Sequence, residues 1–438
     1  MDSISNKINL TIIWIFTFFP FIGFFTAKFL DMAAGNVMLP FLIIAFGLTI
    51  YEKKIAEEKF RVPGYIKLLI LFTIYVMGSD YFILGIKITI KYFYLNNLIK
   101  GVIILLIIEN MQINEHHLSV ILRISMILIG IAVIVIIYQE VVDTTFFTDP
   151  HYHEQLLIES YSERRIFSIY SWTSRYGIGV EFVPILSLII NQQIKSKSKY
   201  FWIWYIFGAV VSFLSRYRWI MLNYLVLFFM LLAHRRVSLK SVMMILIIIF
   251  VVFVLSFQFL EFFGSEIEKI VDERILQTPK GGILEGSAGT RILAAEIFLK
   301  YFPRNPIFGT GDFIKYQKET ENWDMMNELA GRSSHIHVGY LSSLYYYGIV
   351  GGSLFWLFII SFLRNTYRIA KKSNEWGAFF ALLGFGIMNL TMSYISIFTA
   401  GFILAFVFNR YYELQFQHTE AKVFEEHESL GCQLPHLS

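Results

Sequence analysis

Three residues with chemistry to offer stand where apolar or amphipathic runs should begin as helices. Arg216 follows Ser215, Arg291 follows Thr290, and His337 follows the Ser333-Ser334 pair. Serine and threonine at such places are N-cap residues, whose side-chain oxygen satisfies a free N–H of the first turn. A helix start presents unpaired N–H groups and the positive end of its dipole. With a guanidinium beside it, that start can hold a phosphate or a diphosphate. The same field lowers the pKa of an imidazole and keeps His337 in the neutral form a general base needs. The chemistry that fits is expulsion of an anionic leaving group, with a proton taken from the attacking group. Each residue also has an ordinary reading. Arg216 would reach for a membrane surface, Arg291 would pair with Glu296, and His337 would sit wet above a packing seam.

Other arginines share the segments that the topology below places outside: Arg164, Arg165, Arg175, Arg218, Arg274, Arg304 and Arg332. External segments are ordinarily poor in positive charge, and arginine's planar fork matches phosphate oxygens in pairs. Long loops escape that rule, so plain ion pairs explain the same bias. Glu181, near the outer end of an apolar run, would accept a proton or pair with one of these arginines. His335, two residues before His337, is a rival imidazole. Asp149-Pro150-His151-Tyr152-His153-Glu154 has metal-ligating residue types but reads better as a solvated loop. Gly309-Thr310-Gly311 follows no strand and reads as a turn, not a nucleotide loop. Tyr345 to Tyr347 read as packing or as an interfacial aromatic belt.

A membrane must position these residues. The 438-residue chain is 56% hydrophobic and 16% charged, and its mean hydropathy of +0.58 lies outside the range of soluble domains. A crossing takes about 20 apolar residues, which predicts an all-α polytopic membrane protein of about 12 transmembrane helices. The spans fall near 9–30, 36–51, 64–80, 87–109, 118–139, 177–192, 200–215, 217–233, 241–260, 337–362, 376–392 and 394–410. Asp80, Lys87, Lys91 and Asn96-Asn97 blur the third and fourth. Lys53, Lys54, Lys59 and Arg61 share one parity with Lys195, Lys197 and Lys199, with Arg235, Arg236 and Lys240, and with Arg364, Arg368, Lys371 and Lys372. The positive-inside rule makes that side cytoplasmic, with both termini on it. The N-terminal run reads as an uncleaved first helix.

Outside then lie 140–176, the tight turn at Ser215 to Arg218, and the long 261–336 segment between the ninth and tenth spans. The last is too long for a mere connector. Within it an amphipathic helix is predicted from Thr290 to Phe302, with Ile292, Ala295, Leu299 and Phe302 facing membrane or core. The next span would carry His337, Leu341, Leu344, Gly348 and Gly351 on one face, the glycines admitting a neighbouring helix. The membrane domain occupies 1–410, and 411–438 reads as a polar cytoplasmic tail. Internal repeats, and paired interrupted helices of the kind found in inverted-repeat transporters, are not visible in the sequence. A net charge of +4, without a compact basic run, gives no reason to expect nucleic acid. Cys432 alone allows no intrachain disulfide.

The order Ser215-Arg216, Gly289-Thr290-Arg291, Pro306-Ile307-Phe308-Gly309-Thr310-Gly311, His337-x3-Leu341, Gly348-x2-Gly351 resembles the O-antigen polymerase and O-antigen ligase superfamily. Its signature region would cover roughly 200–362, and the helix count and long late external loop match as well. The resemblance implies a metal-independent, integral-membrane glycosyltransferase of the bacterial inner membrane that needs no cofactor. Its donor would be an undecaprenyl-diphosphate-linked oligosaccharide, and its active site would face the periplasm. By position, Arg216 and Arg291 would clamp the diphosphate, and His337 would act at the acceptor hydroxyl. Arg165, Arg218, His335 and Glu181 would lie along the substrate. Val338 stands where the family usually has asparagine after the histidine, and Arg165 has glycine at +12 (Gly177), one place off the spacing of some polymerases. Besides membrane lipid, the implied partner is a polysaccharide chain-length regulator. Polymerisation of repeat units into O-antigen or capsule is the leading expectation. Ligation of finished glycan to lipid A-core, and transport or flipping across twelve spans, are the alternatives.

Overall fold

A computed structural model describes residues 34–84, 93–143, 145–146, 203–215, 218–234, 295–296, 298–311, 338–389 and 400–429, together with Thr11 and Ile190. Its longer elements are all helical: α1 (Ala34–Ile55), α2 (Gly64–Leu84), α3 (Phe93–Asn110), α4 (Glu115–Val141), α5 (Ile203–Leu214), α6 (Arg218–His234), α7 (Gly339–Ser373), α8 (Gly377–Met388) and α9 (Ala400–Ser429). Each coincides with an expected span. The spans near 9–30, 177–192 and 241–260 fall outside the described residues, apart from Thr11 and Ile190.

The differences lie at the helix ends. Asp80 and Asn96-Asn97, which blur two spans in the sequence, lie inside α2 and α3. Helix α7 runs to Ser373, well beyond residue 362, and stops where Asn374 takes a left-handed conformation (φ 61°). The polar tail begins as helix, because α9 continues to Ser429. Helix α4 starts on a reciprocal cap: the Asn114 side chain accepts the His117 N–H at 3.0 Å, and His117 Nδ1 accepts the Asn114 N–H at 3.4 Å.

Helical periodicity decides what is inside. On α2, Tyr65, Leu69, Phe72 and Val76 are buried, and on α7, Gly351, Phe355, Phe358 and Phe362 are. These stripes face each other. Tyr65 stacks on Phe362 at 4.7 Å, Phe72 meets Phe355 at 5.3 Å, and Phe362 meets Phe406 of α9 at 4.5 Å between ring centroids. Each such pair contributes about 1 kcal/mol beyond its buried area. The opposite faces are no less apolar. Leu71, Ile74 and Met77 on α2, and Ile127, Ile134 and Val141 on α4, are exposed. Helices apolar all round belong in lipid. Helices α4 and α7 are long and apolar enough to cross a membrane, and shorter apolar helices cover Gly64–Ser79, Ile203–Leu214 and Gly377–Ile387. The chain is a helical membrane protein.

One end of the bundle gathers cationic segments. Arg61 Nη2 and Arg410 Nη1 each donate to Glu413 at 2.7 Å, and Lys372 Nζ lies 5.9 Å from the Phe416 ring centre. The loop at Arg61 is tied to the end of α3, where Asn110 Oδ1 accepts the Arg61 N–H at 2.7 Å and Asn110 Nδ2 donates to Arg61 O at 2.9 Å. Burial works against the charge on Arg61, but the Glu413 carboxylate outweighs it and holds the guanidinium pKa above its ordinary value. Residues 51–61 and 364–372, far apart in sequence, thus meet the same stretch of α9, as their shared parity requires. The Arg410 side chain is only 6% exposed, so Glu413→Ala leaves a buried charge without its carboxylate. A loss of about 3 kcal/mol is expected, read as a lower melting temperature of the detergent-solubilised protein. Glu413→Asp should recover part of it.

Candidate functional site

At the other end of α7 the helix cannot run straight. Gly348 has φ 65° and ψ −174°, a conformation far from helical. In a continuous helix Ile349 N–H would bond Tyr345 O, and Val350 N–H would bond Tyr346 O. A turn from the preceding segment stands between them instead. Ile349 N–H donates to Pro306 O at 2.8 Å and Val350 N–H to Ile307 O at 3.2 Å. Thr310 N–H donates to Tyr345 O at 3.1 Å and Gly311 N–H to Tyr346 O at 2.9 Å. Two helical bonds are exchanged for four bonds to the turn, so the break leaves none of these polar groups bare.

Glycine is needed on both sides of this joint. Gly309 has φ 78°, and a Cβ there would fall within 3.0 Å of Gly348 N and Tyr346 O. A Cβ on Gly348 would fall within 3.0 Å of Ile307 O. The expected packing face is therefore split: Gly348 receives the turn, whereas Gly351 receives the ring of Tyr75 from α2. The Tyr75 hydroxyl lies 2.8 Å from Phe308 O and 2.9 Å from Tyr347 O, pinning turn and helix together. Tyr345, Tyr346 and Tyr347 are all buried, which settles them as packing.

The turn is continuous with the helical residues 298–301 and the 3-10 turn Phe302–Arg304. Phe298 stacks on Phe302 at 4.6 Å. Leu299 is 72% exposed and Tyr301 is buried. The Arg304 guanidinium and Lys300 Nζ lie 4.5 and 5.1 Å from the centre of the Tyr301 ring, so this segment brings positive charge to the joint.

The head of α7 rests on the end of α8. Its N-cap is Val338, extended at φ −136° and ψ 107°, with no side chain capping the first turn. Gly339 N–H donates to Asn389 O at 2.8 Å, and the Tyr340 hydroxyl donates to Gly386 O at 2.9 Å. The Tyr340 ring stacks on Trp356, whose Nε1 donates to Ser343 Oγ at 3.0 Å. Ser342 N–H bonds Val338 O at 2.8 Å, which leaves the Tyr340 and Leu341 N–H groups without an intrahelical acceptor.

Helices α5 and α6 form a hairpin, and α6 packs on α8 as well. Ser215 closes α5, donating its N–H to Val211 O and its hydroxyl to Ser212 O, both at 3.0 Å. Arg218 is the first described residue of α6. Arg216, Arg291, His335, His337, Arg165 and Glu181 lie outside the described residues, as does the 149–154 segment. The structure does bring together two of their immediate surroundings: the 298–311 segment that follows Arg291, and the α7 that follows His337. Sequence reasoning missed Tyr75, Asn389 and the union of Gly309 with Gly348. Both glycines stand out in the sequence, but their meeting is a contact between segments far apart in it.

Residues 201–356 match the model of a family described as O-antigen ligase. The resemblance to the O-antigen polymerase and ligase superfamily therefore holds over the segment that contains α5, α6, the docked turn and the head of α7. No curated protein matches the chain significantly.

Proposed function

We propose that the chain is an integral-membrane glycosyltransferase that polymerises undecaprenyl-diphosphate-linked oligosaccharide repeat units at the outer face of the bacterial inner membrane. The observation that carries the reading is the docking of 306–311 into the break of α7. Within the family-matched segment it ties the stretch that follows Arg291 to the helix that follows His337. In this reading Arg291 and His337, which adjoin those two stretches in the sequence, act together at the lipid diphosphate.

The reaction balances without a redox partner. A hydroxyl of the incoming lipid-linked repeat unit attacks the anomeric carbon of the growing chain and passes its proton to His337. The bond from that carbon to the diphosphate oxygen breaks, the anomeric configuration inverts, and undecaprenyl diphosphate leaves. Arg216 and Arg291 meet the charge that develops on the leaving oxygen, with Arg218 nearby in the chain. Preorganised positive charge of this kind is usually the largest single catalytic contribution. Arg165, His335 and Glu181 belong to the substrate path in this reading, and a chain-length regulator is the expected partner.

Ligation of finished glycan to lipid A-core is the second reading, favoured by the description of the matched family. A deletion strain separates the two. Loss of polymerase leaves core carrying a single repeat, and complementation restores the ladder of lengths. Loss of ligase strips glycan from the core while lipid-linked polymer accumulates. We expect the first pattern; the second would replace polymerase with ligase, and an unaltered ladder would remove both.

A further inference from the structure

The segment that docks on α7 has an exposed apolar edge with cations beside it. Ile307 and Phe308, in the docked turn, are 54% and 63% exposed, and Leu299 in the helical stretch before it is exposed too. Bare apolar side chains gathered in one place mark a surface that something apolar covers. Their depth follows from the helices they hold. The Tyr65–Phe362 stack fixes one level of the α2–α7 pair. Helix α7 is without charge from Gly339 to Leu363, so the hydrocarbon layer begins near Phe362. Gly351, which receives the Tyr75 ring, stands about 16 Å beyond that level along α7, and Tyr75 about 15 Å along α2. Phe308 O accepts the Tyr75 hydroxyl, which places the turn past the middle of a layer about 30 Å thick. Ile349 and Val350 give their N–H groups to the turn and remain exposed, so the turn extends the bare apolar surface of α7 without covering it. The charge lies higher. Arg304 is within electrostatic reach of the Tyr345 hydroxyl, and Tyr345 is at most about 25 Å from the Phe362 level, close to the far edge of the layer. Arg304 and Lys300 both stand by the buried Tyr301 ring and are exposed. Among the described residues no carboxylate pairs with Arg304.

We propose that residues 299–308 are a docking surface for anionic phospholipid, with Leu299, Ile307 and Phe308 among the acyl chains and Lys300 and Arg304 on the headgroup phosphate. Apolar side chains within the layer and long cationic ones at its edge are the pattern of a segment seated in one leaflet. The guanidinium fork can take two phosphate oxygens, and the ammonium adds a point charge. An anionic headgroup keeps a net charge for both to meet, whereas a zwitterionic one does not. A second copy meeting this edge about a two-fold axis would bring like charges together. The surface serves whatever reaction the chain catalyses, because lipid held at 299–304 steadies the turn that follows it against α7.

The test uses the full chain with Cys432→Ser and a single nitroxide at Ile307→Cys, in vesicles of equal parts phosphatidylcholine and phosphatidylglycerol. The label should collide with dissolved oxygen, which concentrates in hydrocarbon, and stay hidden from a water-soluble nickel chelate. A label open to the chelate puts the edge in water, and one hidden from both puts it under protein, a second copy included. Either result overturns the docking surface. For the charge, phosphatidylglycerol retained by the purified chain is counted by native mass spectrometry. Lys300→Gln with Arg304→Gln should retain one molecule fewer, with phosphatidylcholine unchanged. Its affinity for that lipid should fall about twenty- to thirtyfold, about fivefold for each cation. An equal count in wild type and variant overturns the headgroup site. So does loss of a polyprenyl diphosphate in place of phosphatidylglycerol, which would give the cations to the substrate. The substituted side chains at 300, 304 and 307 are exposed, so both variants should fold. Neither measurement reads glycan, so the polymerase reading can fail without moving either outcome.

Discussion

Gly348→Ala is expected to abolish polymer formation although it alters no arginine or histidine of the proposed site. At φ 65° and ψ −174° an alanine is held where essentially only glycine goes, at a cost of about 1–3 kcal/mol. Its methyl would also clash with Ile307 O. The relief is at hand: α7 straightens, and Ile349 and Val350 recover Tyr345 and Tyr346 as their helical acceptors. Four bonds to the turn, each contributing about 1 kcal/mol, are then exchanged for two within the helix. The protein should therefore still fold and solubilise as wild type does, with 306–311 released from α7. Gly309→Ala should do the same from the other side. Because both break one joint, the double variant should lose little more than either alone. A wild-type ladder from Gly348→Ala would show that docking of the turn does not hold the site together, and the structural support for the polymerase reading would go.

That joint also marks the limit of what the sequence discloses. Helix positions were legible because a lipid-facing helix must be apolar over about 20 residues, and nothing local competes with that demand. The shared end of 51–61 and 364–372 was legible as well, since charge asymmetry reports on topology directly. The break in α7 was not. Gly348 and Gly351 look alike in sequence, and both read as places for close helix packing. Only the positive φ at one, and the Tyr75 ring over the other, tell a hinge from a packing groove. Asn389 was invisible for the same reason: an asparagine at the end of an apolar run is an ordinary C-terminal residue until Gly339 is found against it. An interrupted helix is also a transporter feature. Here the interruption is filled by residues 306–311 of the same chain, with its hydrogen bonds made, whereas a transport site would leave such a break facing its cargo.

His337→Ala and Arg291→Ala should each stop chain growth, but for different reasons that kinetics can separate. Removing a general base costs about 10²- to 10⁴-fold. Without its imidazole the reaction should lose its dependence on pH below neutrality, because the group that titrates there has gone. Removing one guanidinium from the leaving diphosphate should cost about 10²- to 10³-fold, the scale of a single preorganised donor to a developing oxyanion. That loss should leave the acid limb in place. Arg291→Lys keeps the charge but not the fork that reaches two oxygens at once, so it should recover part of the rate and not all of it. His335→Ala is the necessary companion. If it proves inactive while His337→Ala retains the ladder, the base is the earlier histidine, and the head of α7 serves only to seat the chain. If instead His337→Ala removes both the rate and its pH dependence while Arg291→Ala removes the rate alone, the two residues divide the displacement between them, proton on one side and diphosphate on the other.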